Sequence, residues 1–216
     1  MARASRTKGF SMIELIVVIA IIMIMAAAAV LMMGPTLQNY RLTGDARSIA
    51  SSLALARMRA AAQFTRAEVC FDFTGGNCSP TSAPNTYQVE VWNKATPTCC
   101  FVPEAGTAPQ ALSQGNIFVP ACPNPGCFPV GMPPLGGQAT LQQGTGSGAA
   151  PVGFAQIVFN SRGIALDPAF LPASVPVATD VIYIVNPQIN FYCGTTASIA
   201  GQQTVWKYTS NAWFQM

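Results

Sequence analysis

Seven cysteines are the residues of this 216-residue chain with the widest range of chemistry, and all of them follow an apolar N-terminal run. Such clustering is typical of disulfides formed in an oxidising compartment. The paired C-x-x-C spacing of a thiolate zinc site is missing, so we expect structural disulfides and no metal. The local pairs would be Cys70 with Cys78 and Cys122 with Cys127, and one of Cys99 and Cys100 could reach Cys193.

The absence of histidine removes several kinds of catalytic site. Without it there is no Ser-His-Asp or Cys-His nucleophile and no mixed Cys/His zinc site. Asp167 and Asp180 flank a proline-rich turn and could help to ligate calcium, although two loop carboxylates are more often solvated caps or turn residues. No catalytic constellation emerges, and we expect a protein that is not an enzyme and has no cofactor.

A single acid, Glu14, stands at the edge of the longest apolar run of the chain. The uncharged run from Leu15 to Met33 has nineteen residues, which at ~1.5 Å per residue span ~28 Å of helix, about a bilayer core. Three basic residues precede the run and none follows it at once, which places the N-terminus in the cytoplasm. An acid at mid-membrane costs ~2.5–3.5 kcal/mol, and less near an end, so Glu14 needs a reason.

The segment around this acid reads Lys8-Gly9-Phe10-Ser11-Met12-Ile13-Glu14-Leu15. It resembles the class III signal of type IV prepilins and type II secretion pseudopilins. The resemblance implies that a membrane prepilin peptidase cuts between Gly9 and Phe10, that Phe10 is then N-methylated, and that Glu14 is the acid of filament assembly. The new ammonium at Phe10 and the carboxylate four residues on would share one helical face and relieve each other in a low dielectric.

An ordinary secretory signal peptide, cleaved near residues 26–29, is the alternative. The apolar run is longer than the ~7–15 residues of a typical signal-peptide core, and such a peptide gains nothing from Glu14. The resemblance favours a leader over residues 1–9, and cleavage there removes Arg3, Arg6 and Lys8, which carry the whole net charge of +3.

One long helix would position these groups. Residues 10–33 form its transmembrane half, and residues 34–66 form an amphipathic half in which Gly34-Pro35 kinks the helix without necessarily ending it. A helix from Phe10 to about Phe64 would be ~80 Å long. One apolar stripe recurs at helical spacing: Leu42, Ala46, Ile49, Leu53, Ala56, Ala60 and Phe64.

Residues 67–216 form a β-rich head in which short apolar runs alternate with turn residues. In the strand after the helix, Glu68, Cys70 and Asp72 alternate with Val69, Phe71 and Phe73, as in a half-buried strand. Other candidate strands cover 87–92, 100–102, 117–119, 156–160, 181–185, 189–192, 204–208 and 213–215, and a long mobile loop covers about 131–153. The predicted class is α+β, the pilin fold: a long helix packed on an antiparallel sheet.

A second resemblance narrows the class. Ser48-Ile49-Ala50-Ser51-Ser52-Leu53-Ala54-Leu55-Ala56-Arg57, with Ala67-Glu68-Val69-Cys70 and Gln156-Ile157-Val158-Phe159-Asn160-Ser161-Arg162-Gly163, resembles the GspH/FimT subgroup. It implies a minor pseudopilin or minor pilin of a type II secretion pseudopilus or type IV pilus. Its partners would be prepilin peptidase, other pilins and, before assembly, inner-membrane lipid. It would cross the inner membrane once, with the head in the periplasm.

Two alternatives remain, a DNA-binding minor pilin of an uptake pilus and a major pilin. DNA-binding members end in a turn with glycine and arginines, whereas this chain reads Lys207-Tyr208-Thr209-Ser210-Asn211-Ala212-Trp213. From residue 67 onward, three basic residues stand against six acidic ones. A groove for phosphates would need clustered Lys and Arg there, so we do not expect nucleic acid as a partner.

Overall fold

The computed structural model describes residues 10–76, 78, 82–95, 101–119, 153–166, 179–198, 200–209 and 212–216. It contains a helix, α1 (Met12–Ala62), followed by eleven strands in these residues. The chain divides into two compact units, Met1–Gln38 and Asn39–Met216. The α+β class expected from the sequence is confirmed.

Helix α1 has 51 residues and begins directly after Ser11, whose carbonyl accepts hydrogen bonds from the backbone N–H groups of Glu14 and Leu15. Pro35 lies inside the helix and does not end it. A proline inside a helix removes one backbone donor and crowds the preceding turn. The predicted continuous helix is confirmed to within two residues at each end.

The head contains two antiparallel sheets. The first has the order β3-β2-β1-β6-β7, with β4 also paired to β2, and the second has the order β11-β10-β9-β8-β5. The strands of the first sheet are β1 (Ala67–Asp72), β2 (Thr86–Trp92), β3 (Phe101–Pro103), β4 (Gln110–Ala111), β6 (Phe154–Phe159) and β7 (Ala165–Leu166). Those of the second are β5 (Ile117–Val119), β8 (Thr179–Asn186), β9 (Phe191–Ser198), β10 (Gln203–Thr209) and β11 (Ala212–Gln215).

One apolar stripe of α1 forms the centre of the head. Six of the seven residues predicted for it are fully buried, from Leu42 to Ala60, and they belong to a core cluster with residues of both sheets. The seventh, Phe64, is 83 % exposed. It lies beyond the end of the helix with φ 49°, so helical spacing no longer carries its side chain toward the core. Its inclusion in the stripe is wrong.

Strand β1 also departs from its expected pattern. All six of its residues are buried, Glu68 and Asp72 included, so the strand is not half-buried. It lies between β2 and β6, with a partner on each side. Val69 and Phe71 join the helix-side core, while Asp72 accepts hydrogen bonds on the other face from Gly75 N at 2.6 Å and Ser82 Oγ at 2.5 Å.

The bounds of the other predicted strands agree with the observed bounds to within a few residues, except for one strand that is shifted along the chain. Residues 187–190 form a turn, and the strand assigned to 189–192 is β9, which runs on to Ser198. Its run of Gly194, Thr195 and Thr196 reads as a loop by composition, but β8 and β10 pair with it along that run. Most of the loop predicted for about 131–153 lies outside the described residues.

The described cysteines include one disulfide and one free thiol. Cys70 and Cys78 are joined, with their Cα atoms 5.7 Å apart, as the sequence predicts. Cys193 is free, fully buried and part of the core cluster on β9, where its side chain faces helix α1. The expectation that Cys193 pairs with Cys99 or Cys100 is therefore wrong. Those two residues, and the predicted pair Cys122 and Cys127, lie outside the described residues.

Candidate processing and assembly site

The predicted processing site lies where the described chain begins. Phe10 is 79 % exposed and, with Ser11, precedes helix α1. Glu14 is exposed in the first turn, where the positive end of the helix dipole favours an acid. In the uncleaved chain the helix begins at Met12, two residues after Phe10. The helical face that Phe10 and Glu14 are expected to share after cleavage stays a prediction. Gly9 lies outside the described residues.

The surface behind Glu14 is apolar and uncovered. Thirteen large hydrophobic residues between Phe10 and Met25 are at least 44 % exposed. Burying such side chains is worth ~1.5–3 kcal/mol each, so this surface leaves on the order of 20 kcal/mol unrealised in water. The helix contains an 18-residue window of mean hydropathy 3.2, none of it buried within the protein, and it is long and apolar enough to cross a membrane. This segment anchors the chain in a membrane.

Residues 41–66 contain five arginines and one acid, Asp45, which accepts hydrogen bonds from two residues of the head. Its carboxylate accepts hydrogen bonds from Ser113 N at 2.9 Å, Ser113 Oγ at 2.8 Å and Asn116 Nδ2 at 2.6 Å. Asn116 in turn accepts a bond from Asn186 Nδ2 at 2.9 Å. The sequence offered no signal for these contacts beyond the isolated acid, which fastens the segment before β5 to the helix.

Arg57 occupies a gap between turns of the two sheets. Gly163 follows β6 with φ 75°, and Gly201 follows β9 with φ 72°. Arg57 Nη1 donates to the carbonyl of Gly201 at 3.2 Å, and a Cβ added at either glycine would lie 2.7 Å from Arg57 Nε. Only glycine fits both turns beside this side chain, so Arg57 links the helix to both sheets.

The end of helix α1 is closed by a Schellman-type cap with phenylalanine in place of glycine. Thr65 N donates to Ala60 O at 3.1 Å and Phe64 N to Ala61 O at 3.3 Å. Lys94 Nζ also donates to Gln63 O, at 2.6 Å. A cleft of about 480 Å³ lies beside this cap and is lined in part by Thr65, Trp92, Lys94 and Glu104.

The basic residues of the amphipathic half of α1 and its end are largely engaged within the head. Arg57 is held as described, Arg59 Nε pairs with Glu104 Oε1 at 2.6 Å, and Arg66 lies over the ring of Trp92 at 5.6 Å. Arg41 and Arg47 are exposed. Two exposed arginines do not make a phosphate-binding groove.

Of the two carboxylates weighed for calcium, the structure describes only Asp180. Asp180 is fully buried on β8, and Asp167 lies outside the described part of the chain. Within the described ranges, no three residues among His, Cys, Asp and Glu come close enough to hold a metal ion.

Comparison with known proteins identifies the N-terminal segment. Residues 4–30 match the family model of the prokaryotic N-terminal methylation motif, and the match includes Gly9, Phe10 and Glu14. No curated protein and no solved structure matches the chain. The motif indicates a type IV pilin-like prepilin leader, and with it a structural subunit that prepilin peptidase processes and that assembles with other pilins.

Proposed function

We propose that this protein is a minor subunit of the GspH/FimT type in a type II secretion pseudopilus or a type IV pilus. One observation carries the proposal: the methylation motif over residues 4–30 includes an apolar helix surface, from Phe10 to Met25, that is exposed in the described part of the chain. Prepilin peptidase cuts after Gly9, Phe10 becomes the methylated N-terminus, and the apolar segment remains in the inner membrane until assembly.

Glu14 has its role in the transfer from membrane to filament. In the membrane its carboxylate lies close to the apolar run and lacks a protein partner among the described residues. The ammonium of Phe10 in a neighbouring subunit would neutralise that carboxylate on docking, because opposite charges favour each other most in a low dielectric. Filament entry thereby neutralises the carboxylate and covers the apolar surface as it leaves the membrane.

The head lies on the outer side of the membrane in this proposal. The Cys70–Cys78 disulfide suits the oxidising periplasm. The cleft beside the helix cap and the exposed side chain of Phe64 provide a surface for neighbouring subunits or cargo. A DNA-binding minor pilin has less support, because three of the five arginines on residues 41–66 are engaged within the head.

The test compares Glu14→Gln with Ser11→Ala in cells that contain prepilin peptidase and the other pilins. Both variants should lose residues 1–9, but Glu14→Gln should be depleted at least tenfold from sheared filaments while Ser11→Ala enters normally. Glutamine keeps the size of the side chain and removes only its charge. Normal entry of processed Glu14→Gln would contradict the assembly role, and intact residues 1–9 in every variant would contradict the processing.

Minor and major subunits, and DNA binding, are separated by two further measurements. A minor subunit should be a small fraction of the purified filament, whereas a major pilin should make up most of it. DNA uptake predicts salt-sensitive binding of the detergent-solubilised chain to double-stranded DNA. We expect no such binding.

A further inference from the structure

Two glutamates face each other inside the head. Glu68 of β1 and Glu90 of β2 are directly opposite in the antiparallel register, on the face that points away from helix α1. Such cross-strand neighbours have Cβ atoms about 4.5–5.5 Å apart. Glu68 is fully buried and Glu90 is 4 % exposed. Two ionised carboxylates at this separation without solvent would repel strongly.

Two glutamines supply hydrogen bonds to the pair, and one carboxyl oxygen is left over. Gln156 Nε2 of β6 donates to Glu68 Oε1 at 3.2 Å, and Gln88 Nε2 donates to Glu90 Oε1. Glu68 Oε2 is buried and receives no hydrogen bond from any donor in the described part of the chain. Because both glutamines turn their N–H groups toward the carboxyls, their carbonyl oxygens are not placed as metal ligands. The geometry fits a proton better than a cation.

Among the described residues, no basic side chain contributes to the pKa shift of Glu68 or of Glu90. Val158 of β6 lies opposite Glu68, and Pro103 of β3 lies opposite Glu90. In the alternation of β1, Arg66 precedes Glu68 by two residues and lies over the ring of Trp92, while the acid Asp72 follows Glu68 by four. Residues 39–216 contain eight basic side chains, and three of them, Arg41, Arg47 and Arg162, are exposed. Each of the other five contacts a residue elsewhere in the fold. Those five are Arg57 with Gly201, Arg59 with Glu104, Arg66 with Trp92, Lys94 with Gln63 and Lys207 with Phe191. After residue 9, the sequence contains one charged residue outside the described ranges, and that residue is the acid Asp167.

We propose that Glu68 is a protonated carboxylic acid in the folded head at neutral pH and donates a hydrogen bond from Oε2 to the carboxylate of Glu90. One proton then satisfies every buried group of the set: Gln156 donates to Glu68, Glu68 donates to Glu90, and Gln88 donates to Glu90. The head is in this respect a proton-dependent structure, whose first sheet is stable only while β1 and β2 share that proton.

The direction of the pH effect follows from the pKa of each glutamate. Burial, and then the negative charge of Glu90, raises the pKa of Glu68 well above its ordinary value of 4.5. Burial raises the pKa of Glu90 as well, while the hydrogen bonds from Gln88 and Glu68 lower it. The folded head therefore holds a proton that the unfolded chain releases above pH 4.5. The contribution of this proton to the free energy of unfolding is fully present below that pH, and it is lost as the pH rises through the folded pKa of Glu68.

The experiment measures urea unfolding of the full chain in a non-ionic detergent at several pH values, followed by tryptophan fluorescence. All three tryptophans lie in the head. Glu68→Gln keeps a donor at the same place without titrating, and Glu104→Gln removes a carboxylate elsewhere in the first sheet. Between pH 5 and pH 8 the unfolding constant of the wild type should rise relative to Glu68→Gln by up to tenfold per pH unit. Relative to Glu104→Gln we expect no such rise.

A spectroscopic measurement keeps the proposal testable if Glu68→Gln does not fold. In a Glu14→Gln chain labelled with ¹³C-glutamate, the infrared spectrum at pH 7 should contain the carbonyl band of a protonated carboxylic acid, since only Glu68, Glu90 and Glu104 then carry the label. Absence of that band, or parallel pH profiles of the wild type and Glu68→Gln, overturns the proposal. Neither readout depends on filament assembly, so both can fail while the proposed function holds.

Discussion

Alanine at position 201 would meet two groups that the fold holds in place. Its Cβ would lie 2.7 Å from Arg57 Nε and closer still to the carbonyl oxygen of Gly163. The positive φ of 72° costs an L-residue ~1–2 kcal/mol. Displacing a backbone carbonyl in a packed turn adds about 1–3 kcal/mol. Gly201→Ala should therefore destabilise the head by about 2–5 kcal/mol.

Gly163→Ala differs because its closest contact is a side chain. At φ 75°, its Cβ would approach Arg57 Nε to 2.7 Å and Arg57 Cγ to 3.2 Å. Removing Arg57 should relieve this overlap and leave only the backbone cost of ~1–2 kcal/mol. Arg57→Ala alone should cost ~1.5–3 kcal/mol, because it loses a charged hydrogen bond to Gly201 O. The double mutant Arg57→Ala/Gly163→Ala should thus be more stable than the sum of its parts predicts, by about 1–3 kcal/mol.

The assay is urea unfolding of the full chain in detergent, read by tryptophan fluorescence. Gly106→Ala is the matched control, since Gly106 has φ 85° but a Cβ there would meet nothing within 4 Å. It should show the backbone cost alone. If Gly201→Ala costs no more than Gly106→Ala, or if Gly163→Ala costs the same with and without Arg57, then Arg57 does not fill the gap between the two turns as described.

Two further predictions concern the disulfide of β1 and the cap at the end of helix α1. Replacing both Cys70 and Cys78 by serine should lower the free energy of unfolding by about 2–2.5 kcal/mol, the chain-entropy value for a bond that spans eight residues; a reductant should destabilise the wild type more than the double variant, and an equal shift in both would contradict the assignment. Phe64→Gly should be more stable than Phe64→Ala by about 1 kcal/mol, because alanine retains the strain of φ 49° and glycine does not; equal melting temperatures would mean that the position is unstrained.

The stem could be predicted almost completely from the sequence, because its signals are local. A run without charge fixes an apolar helix, and spacings of three and four residues identify the buried stripe up to Ala60. Phe64 was assigned to that stripe because it continues the spacing. The cap that ends the helix at Ala62 depends on backbone bonds and on Lys94, which is distant in sequence. Periodicity alone could not reveal it.

The head shows where contacts between distant residues decide the outcome. Glu68 and Asp72 look solvent-facing in an alternating strand, yet both are buried. Glu68 accepts a hydrogen bond from Gln156 of β6, and Asp72 accepts hydrogen bonds from Gly75 and Ser82 in the segment after β1. Cys193 looked like a disulfide partner, but its position on β9 directs it at the helix. Asp45 and Arg57 belong to the amphipathic half of the helix, and helical spacing does not reveal that each holds a turn or loop far along the chain.

The most direct test of the central claim is the mature N-terminus of the protein. The chain is produced in cells that contain prepilin peptidase, purified from membranes, and its N-terminal peptide is identified by mass spectrometry. Processing of a prepilin predicts a chain that begins at Phe10 and carries one added methyl group on its amino nitrogen. A chain that still begins with the leader, or one that begins near residues 27–30 after signal-peptide cleavage, would contradict it.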